Sequence, residues 1–441
     1  MYKYQLDKDK IIKNMKAKGF NTQSELAKSL DISKNQLSLM LSSKFNPIKS
    51  NVIKLCEKLD VPVEEILVTQ SNTQLSFFNT INESKLNKDN KNISNEFDEF
   101  IDIENIKANK PYTCVELFAG AGGLAIGLED AGFNSVGLVE LDKNACHTLS
   151  TNRPNWNVIE EDIVKVAEEG IRKYIGNIDV DLLSGGYPCQ SFSYAGKRLG
   201  LNDVRGTMFY YYAKILEQLN PKVFLAENVK GLLTDDSGRT LQTMINVFSD
   251  LGYSVKYKLL NAWDYGVSQK RERLFIIGVR NDININYKYP KKFNYKPTLK
   301  DALKDVPKSV GSKYPEKKKL VLDLVPPGGC WVNLPEDIAK EYMGKSFYSG
   351  GGKRGMARRI SWDEPCLTLT CSPAQKQTER CHPDETRPFT VREYARIQSF
   401  PDTWDFPVSI SSAYKQIGNA VPCKLGKAVG LSLVNVLNNL E

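Results

Sequence analysis

One cysteine stands in a setting that favours chemistry over packing. Residues 181–193 read DLLSGGYPCQSFS, an apolar run broken at Ser184-Gly185-Gly186 and followed at once by Pro188 and Cys189. A thiol in a rigid turn just past a strand sits where a nucleophile is needed. Free cysteines are more often small buried hydrophobes, so Cys189 alone does not decide the matter. Other candidates lie downstream. Glu227 closes the apolar run at 223–226, and Arg271 and Arg273 alternate in Gln269-Lys270-Arg271-Glu272-Arg273 ahead of the apolar run at 274–279. Alternation in an extended segment points both guanidiniums to one side.

The elements that must carry these residues alternate in type. Strand-like runs at 113–118, 135–139, 158–163, 179–184, 223–226 and 253–260 are separated by helical patterns at 124–131, 164–174, 207–219 and 239–251. Such alternation predicts an α/β domain, a Rossmann-like and mostly parallel sheet covered on both faces, with ligands at the carboxyl ends of its strands. Phe118, Glu140, Asp162, Cys189 and Glu227 all fall at or just past those ends. The first strand runs into Ala119-Gly120-Ala121-Gly122-Gly123, and Glu140 stands at the tip of the second. A glycine turn with an acid about twenty residues on is how nucleotide folds hold a ribose. The loop lacks both the GxGxxG pattern and a phosphate-binding lysine, so the expected ligand is a nucleoside without phosphate, such as S-adenosylmethionine.

Taken in order, GYPCQSFS, Glu227-Asn228-Val229, QKRER and Gly418-Asn419-Ala420-Val421-Pro422 make residues 112–441 resemble the DNA (cytosine-5)-methyltransferases. The resemblance implies a covalent route in which Cys189 adds to carbon 6 of cytosine. Protonated Glu227 would donate to N3, Arg273 would bind O2, and Arg271 would help to hold the nucleotide and the active-site loop. It implies S-adenosylmethionine as cofactor and no metal. Phe118, Gly120, Gly122 and Gly123 would pack on its methionine and adenosine parts. Glu140 would take the ribose hydroxyls, Asp162 the adenine amino group, and Leu141 and Ile163 the ring faces. Pro188, Met208 and Asn419 would close the pocket. The target base must leave the duplex to be reached, and residues 191–206, with Lys197 and Arg198, match the family's mobile loop. Residues 281–388, rich in lysine, tyrosine, proline and glycine, match its target-recognition domain, where Arg354, Thr368 and Leu369 are expected to meet DNA. Residues 111–280 then form the catalytic domain, and 389–441 return to it.

Residues 1–70 read instead as an all-α domain, with helices at 11–18, 23–30, 34–41 and 51–59. The stretch TQSELAKSLDISKNQLSLML, with Leu26, Ala27, Leu30, Ile32 and Leu37 facing inward and Thr22 or Asn21 as cap, resembles the helix-turn-helix of phage-repressor-like regulators. Its second helix would present Lys34, Asn35, Gln36 and Ser38 to the major groove. A polar linker follows at 71–110, with a short helix near 97–103.

Composition agrees with this picture. The 441 residues carry a net charge of +8, which suits a polyanionic partner. Nine scattered cysteines without a CxxC pair, no signal-peptide pattern and no long apolar run point to a reducing, cytoplasmic setting away from membranes. The expected partners are double-stranded DNA, operator DNA for the front domain, and a cognate restriction endonuclease. Two other readings stay open at this stage: an RNA cytosine-5 methyltransferase, and a non-enzymatic regulator with a methyltransferase-like body.

Overall fold

The computed structural model describes residues 6–30, 32, 37–38, 40–42, 49–66, 99–188, 204, 207–348 and 355–440. Cys189, Lys34, Asn35, Gln36, Lys197, Arg198 and Arg354 lie outside them. The chain divides into two compact units, residues 1–97 and 98–441.

In the first unit, α1 (Lys8–Ala17), α2 (Gln23–Ser29), α3 (Lys49–Leu59) and α4 (Val63–Ile66) enclose a core of Ile11, Met15, Leu26, Ala27, Leu30, Leu37, Val52, Leu55 and Ile66. Ile32 packs against that core at its edge. Of the two expected caps, Thr22 is the one used. Its hydroxyl accepts from the Glu25 amide at 3.2 Å, while the Glu25 carboxylate accepts from the Asn21 amide at 2.9 Å. Both bonds satisfy N–H groups that a helix start leaves open.

The second unit is built on seven strands: β2 (Tyr112–Leu117), β3 (Phe133–Glu140), β4 (Val158–Glu160), β5 (Leu182–Gly185), β6 (Val223–Val229), β7 (Tyr253–Asn261) and β9 (Glu272–Arg280). They lie in the order β4-β3-β2-β5-β6-β9-β7. The pairs from β4 to β6 are parallel, and β9 runs antiparallel to both its neighbours. Because side chains alternate along a strand, neighbouring apolar residues feed opposite faces. Val115, Leu183 and Phe224 join one core beneath α8 (Met208–Leu219) and α9 (Arg239–Asp250). Cys114, Leu182 and Leu225 join the other beneath α5 (Gly123–Ala131) and the C-terminal α14 (Cys423–Asn438). Helices α5 and α14 touch backbone to backbone: a Cβ on Gly127 would lie 2.4 Å from the Cys423 carbonyl oxygen. Residues 410–438 are apolar and long enough to cross a membrane, but they are two helices, α13 (Ile410–Asn419) and α14, mostly buried in the protein.

Several boundaries depart from the sequence reading. The expected helix near 97–103 is a strand, β1 (Phe100–Ile101), parallel to β10 (Tyr289–Pro290). Bonds from Tyr289 N to Glu99 O and from Lys291 N to Ile101 O replace what a lone helical turn would lack. The end of the expected linker is therefore part of the second unit: Ile103 is buried in its core and Asn109 is bonded to Asn438. Strand β6 continues past residue 226 to Val229, and β9 begins at Glu272, so Glu227 and Arg273 lie inside adjacent paired strands.

The region beyond β10 has its own small core around α10 (Glu316–Asp323) and α11 (Glu336–Met343). Buried polar groups tie it together. The Arg359 guanidinium donates to Val325 O, Leu322 O, His382 O and Thr386 Oγ1. Glu379 accepts from Lys318, Tyr342 and the Ala357 amide. A chain poor in apolar residues can order itself this way only if each buried group finds a partner.

Candidate active site

A cavity of about 490 Å³ opens at the carboxyl ends of β2, β3, β5 and β6. Its size suits a small ligand. One side is made by the glycine turn after β2. Phe118 and Gly120, with φ of +57° and +55°, hold left-handed backbone that turns the Gly120 amide toward β3. For Phe118 that conformation is strained, and such strain collects at functional sites. Glu140 accepts from the amides of Gly120 at 2.7 Å and of Leu141 and Asp142 at 2.8 Å. Three donors fix its carboxylate at the cavity wall with lone-pair capacity left on Oε2, the oxygen that takes only Gly120.

The other side is made by β6 and β9. The Glu227 carboxylate meets Arg273 through Nε and Oε1 at 2.8 Å, and both side chains are nearly buried. Burial raises the Glu227 pKa above the ordinary carboxylate value, against the pull of Arg273 and, more weakly, Arg271. Arg273 also donates from Nη1 to the Glu272 carbonyl at 2.8 Å, so among the described residues its bonds run through Nε and Nη1. Gly186 makes room for this pair, and Gly185 lets β5 approach β2 closely. A Cβ on Gly186 would lie 2.7 Å from Glu227 Oε2, and one on Gly185 would lie 2.6 Å from the Leu117 carbonyl oxygen. Asn228 ties β6 to that turn by donating to the Tyr187 carbonyl at 3.1 Å. The cavity thus sets an amide-held acid opposite a buried acid with a guanidinium, with Pro188 and Asn419 on its wall and Cys189 next in sequence after Pro188.

Residues 112–435 match the model of the C-5 cytosine-specific DNA methylases, three quarters of the chain in one span. The chain belongs to that family. Residues 9–74 match the helix-turn-helix domain of the bacteriophage CI repressor. Among relatives, the type II methyltransferase M.Sau96I of Staphylococcus aureus is 56% identical over 99% of this chain and 100% of its own. M.Eco47II of Escherichia coli is 59% identical over 76% of this chain and 81% of its own. A solved DNA modification methyltransferase from an E. coli prophage is 25% identical with a TM-score of 0.56, covering 74% of this chain and 99% of that one. The protein is accordingly a DNA (cytosine-5)-methyltransferase with a repressor-like front domain.

Within this methylase, Phe118, Gly120, Gly123, Glu140, Pro188, Asn419, Glu227 and Arg273 line one cavity. Other expected residues sit elsewhere. Gly122 is a packing glycine: a Cβ there would lie 2.8 Å from Leu149 and 3.1 Å from Trp404. Asp162 caps α7 (Ile163–Glu169) by accepting from the Val164 amide at 2.8 Å. Ile163 is buried in the first core, Leu141 is exposed, and Met208 packs against the core; none of these five residues is among those lining the cavity.

Two expectations, for Arg271 and Leu369, need correction. Arg271 is fully buried, and its guanidinium donates to the carbonyls of Leu369 at 3.0 Å and Gly418 at 2.8 Å, with Asn419 at 3.3 Å. Burial, aided by the charge of Arg273, lowers its pKa to about 9. It staples QKRER to two distant segments instead of reaching a nucleotide. Leu369 is buried as well, so its side chain reads no base, and Thr368 donates to the Lys270 carbonyl at 2.7 Å. Both follow from a short pairing between β8 (Gln269–Lys270) and β11 (Cys366–Leu367). The sequence reading also passed over Glu116, a buried acid in the middle of β2 that lines the cavity.

Proposed function

We propose that the protein methylates carbon 5 of a flipped cytosine in a specific duplex DNA sequence, using S-adenosylmethionine and a covalent bond to Cys189. The observation that carries this reading is the Glu227–Arg273 pair on the wall of a cavity entered by the turn that leads to Cys189. Addition of the thiolate to carbon 6 drives electrons toward N3 and O2 of the base. Glu227, kept protonated more readily by burial, donates to N3, and Arg273 holds O2 through its guanidinium. Loss of the carbon-5 proton then expels Cys189.

The cavity fits the cofactor. Glu140 offers an acceptor to ribose hydroxyls, Phe118 and the Gly120–Gly123 turn offer an apolar and backbone surface, and the volume suits a nucleoside with a short tail. When bound there, S-adenosylmethionine supplies an electrophilic methyl group. Incubation with labelled S-adenosylmethionine and either duplex DNA or RNA tests the reading: label enters cytosine of DNA, and DNA containing 5-fluorocytosine traps an adduct that maps to Cys189. An adduct at another residue, or transfer to RNA alone, refutes it.

The type II names of the relatives support a role as the modification half of a bacterial restriction system. The repressor-like match supports operator binding by residues 1–70. Deleting that unit leaves methylation largely intact and abolishes binding to the upstream promoter; loss of both refutes a separate regulatory role.

A further inference from the structure

Glu116 has no part in the chemistry above, yet it is 2% exposed on the cavity wall and its Oε2 has no hydrogen-bond partner among the described residues. Unpartnered buried polar atoms are rare enough in folded proteins to need an explanation. Among the described residues no cation faces it. Cys114 and Ser184 face it from β2 and β5, and Glu140 from β3. Among the described lining residues the two cations are already engaged, Arg273 by Glu227 at 2.8 Å and Lys415 by Asp142 at 2.9 Å. Burial first, and the charge of Glu140 second, hold the Glu116 carboxyl well above the usual carboxylate range, with Ser184 acting weakly the other way. Such a site disfavours the charged carboxylate, and a positive ligand would relieve that penalty.

We propose that Glu116 is the counter-ion for a cationic ligand in this cavity, and that through it the enzyme distinguishes a sulfonium cofactor from its neutral thioether product. The proposal rests on reading the cavity as the S-adenosylmethionine site. As the sulfonium enters, the O–H bond of Glu116 breaks, the electron pair stays on the carboxylate and the proton leaves to solvent. Once the methyl group is gone the sulfur is uncharged, and the carboxylate takes a proton back from solvent. Charge compensation is lost at that point, which favours release of the product.

Calorimetric titration of the full-length protein with S-adenosylmethionine and with S-adenosylhomocysteine, each in two buffers of different ionisation enthalpy, tests this. At the pH midway between the free and the sulfonium-bound titrations of Glu116, the sulfonium ligand releases about half a proton more than the thioether. Glu116→Gln removes that difference and lowers the preference for the sulfonium ligand roughly tenfold, the equivalent of one pKa unit. Should the variant fail to fold, the wild type alone decides: its preference for the sulfonium ligand rises with pH through the range in which Glu116 titrates, as linkage requires. Equal proton release with both ligands, or an unchanged preference in the variant, overturns the proposal. Failure of either ligand to bind refutes the cofactor reading itself and is distinguishable, since no heat of binding appears.

Discussion

Glu140 and Glu227 line one cavity from strands separated by β2 and β5, and their surroundings treat them differently. Three backbone amides converge on Glu140, whose oxygens act only as acceptors. Among the described residues Glu227 meets no backbone donor; it is buried against one guanidinium, and desolvation raises its pKa. On the proposed mechanism, the same side chain accepts from a sugar hydroxyl on one side and donates to a base on the other. What distinguishes them is the supply of N–H groups. The glycine turn after β2 aims its amide at β3, whereas Glu227 lies inside a strand whose own N–H groups are already paired.

The largest effect falls on the β6 side. Glu227→Gln keeps the shape and removes the donated proton, so single-turnover methyl transfer falls by about 10²–10⁴-fold, the usual contribution of a positioned acid. Cys189→Ser loses transfer more completely. Cofactor affinity stays within about twofold in both, since neither change touches the Glu140 side. A drop in affinity as large as the drop in rate breaks the division between the two sides.

Glu140→Gln is the complementary change. It sets an amide NH₂ against at least one of the three N–H donors, and the cofactor dissociation constant rises by roughly 10–100-fold, as for a lost charged hydrogen bond or two. At saturating cofactor the single-turnover rate stays close to that of the wild type. A rate loss that saturation does not restore would place Glu140 in the chemistry.

The pH profile sharpens the contrast further. Glu227 acts protonated and its folded pKa is raised, so its contribution is full at low pH and is lost as pH rises through that value. Single-turnover rates at saturating cofactor and DNA show this descending limb in the wild type and not in Glu227→Gln.

How far the sequence discloses this arrangement depends on whether a residue's role is local. The strand that ends at Glu140, the break at Gly185-Gly186 and the alternation of Arg271 with Arg273 are written in neighbouring residues, and the structure places each near the cavity. Alternation does put both arginines on the Glu227 side. It does not tell that the acceptors for Arg271 come from carbonyls 98 and 147 residues away. Leu369 was misread for the same reason: it follows a two-residue pairing of Cys366–Leu367 with Gln269–Lys270, and its amide donates to the Gln269 side chain. Glu116 stayed hidden because a strand interior reads as Val115-Glu116-Leu117 whether the acid faces water or a cavity. Two-residue strands such as β1 carry no periodicity at all, so their partners alone define them.

The smallest expected effect concerns stability and separates the two acids by sign. A carboxyl whose folded pKa is raised by burial contributes stability that is full below its unfolded value and is lost as pH rises toward the folded one. Above that range the native state holds a poorly solvated charge that glutamine avoids. Glu227→Gln therefore gains relative to the wild type as pH rises, by roughly 1 kcal/mol, the scale of ordinary single substitutions. Glu140→Gln loses by a similar amount, because one oxygen is gone from a site with three donors. Thermal unfolding of the cofactor-free protein at acidic and mildly alkaline pH reads both. If the two variants shift in the same direction at alkaline pH, desolvation is not what sets Glu227 apart, and its proton would have to be held by the ligand instead of the fold.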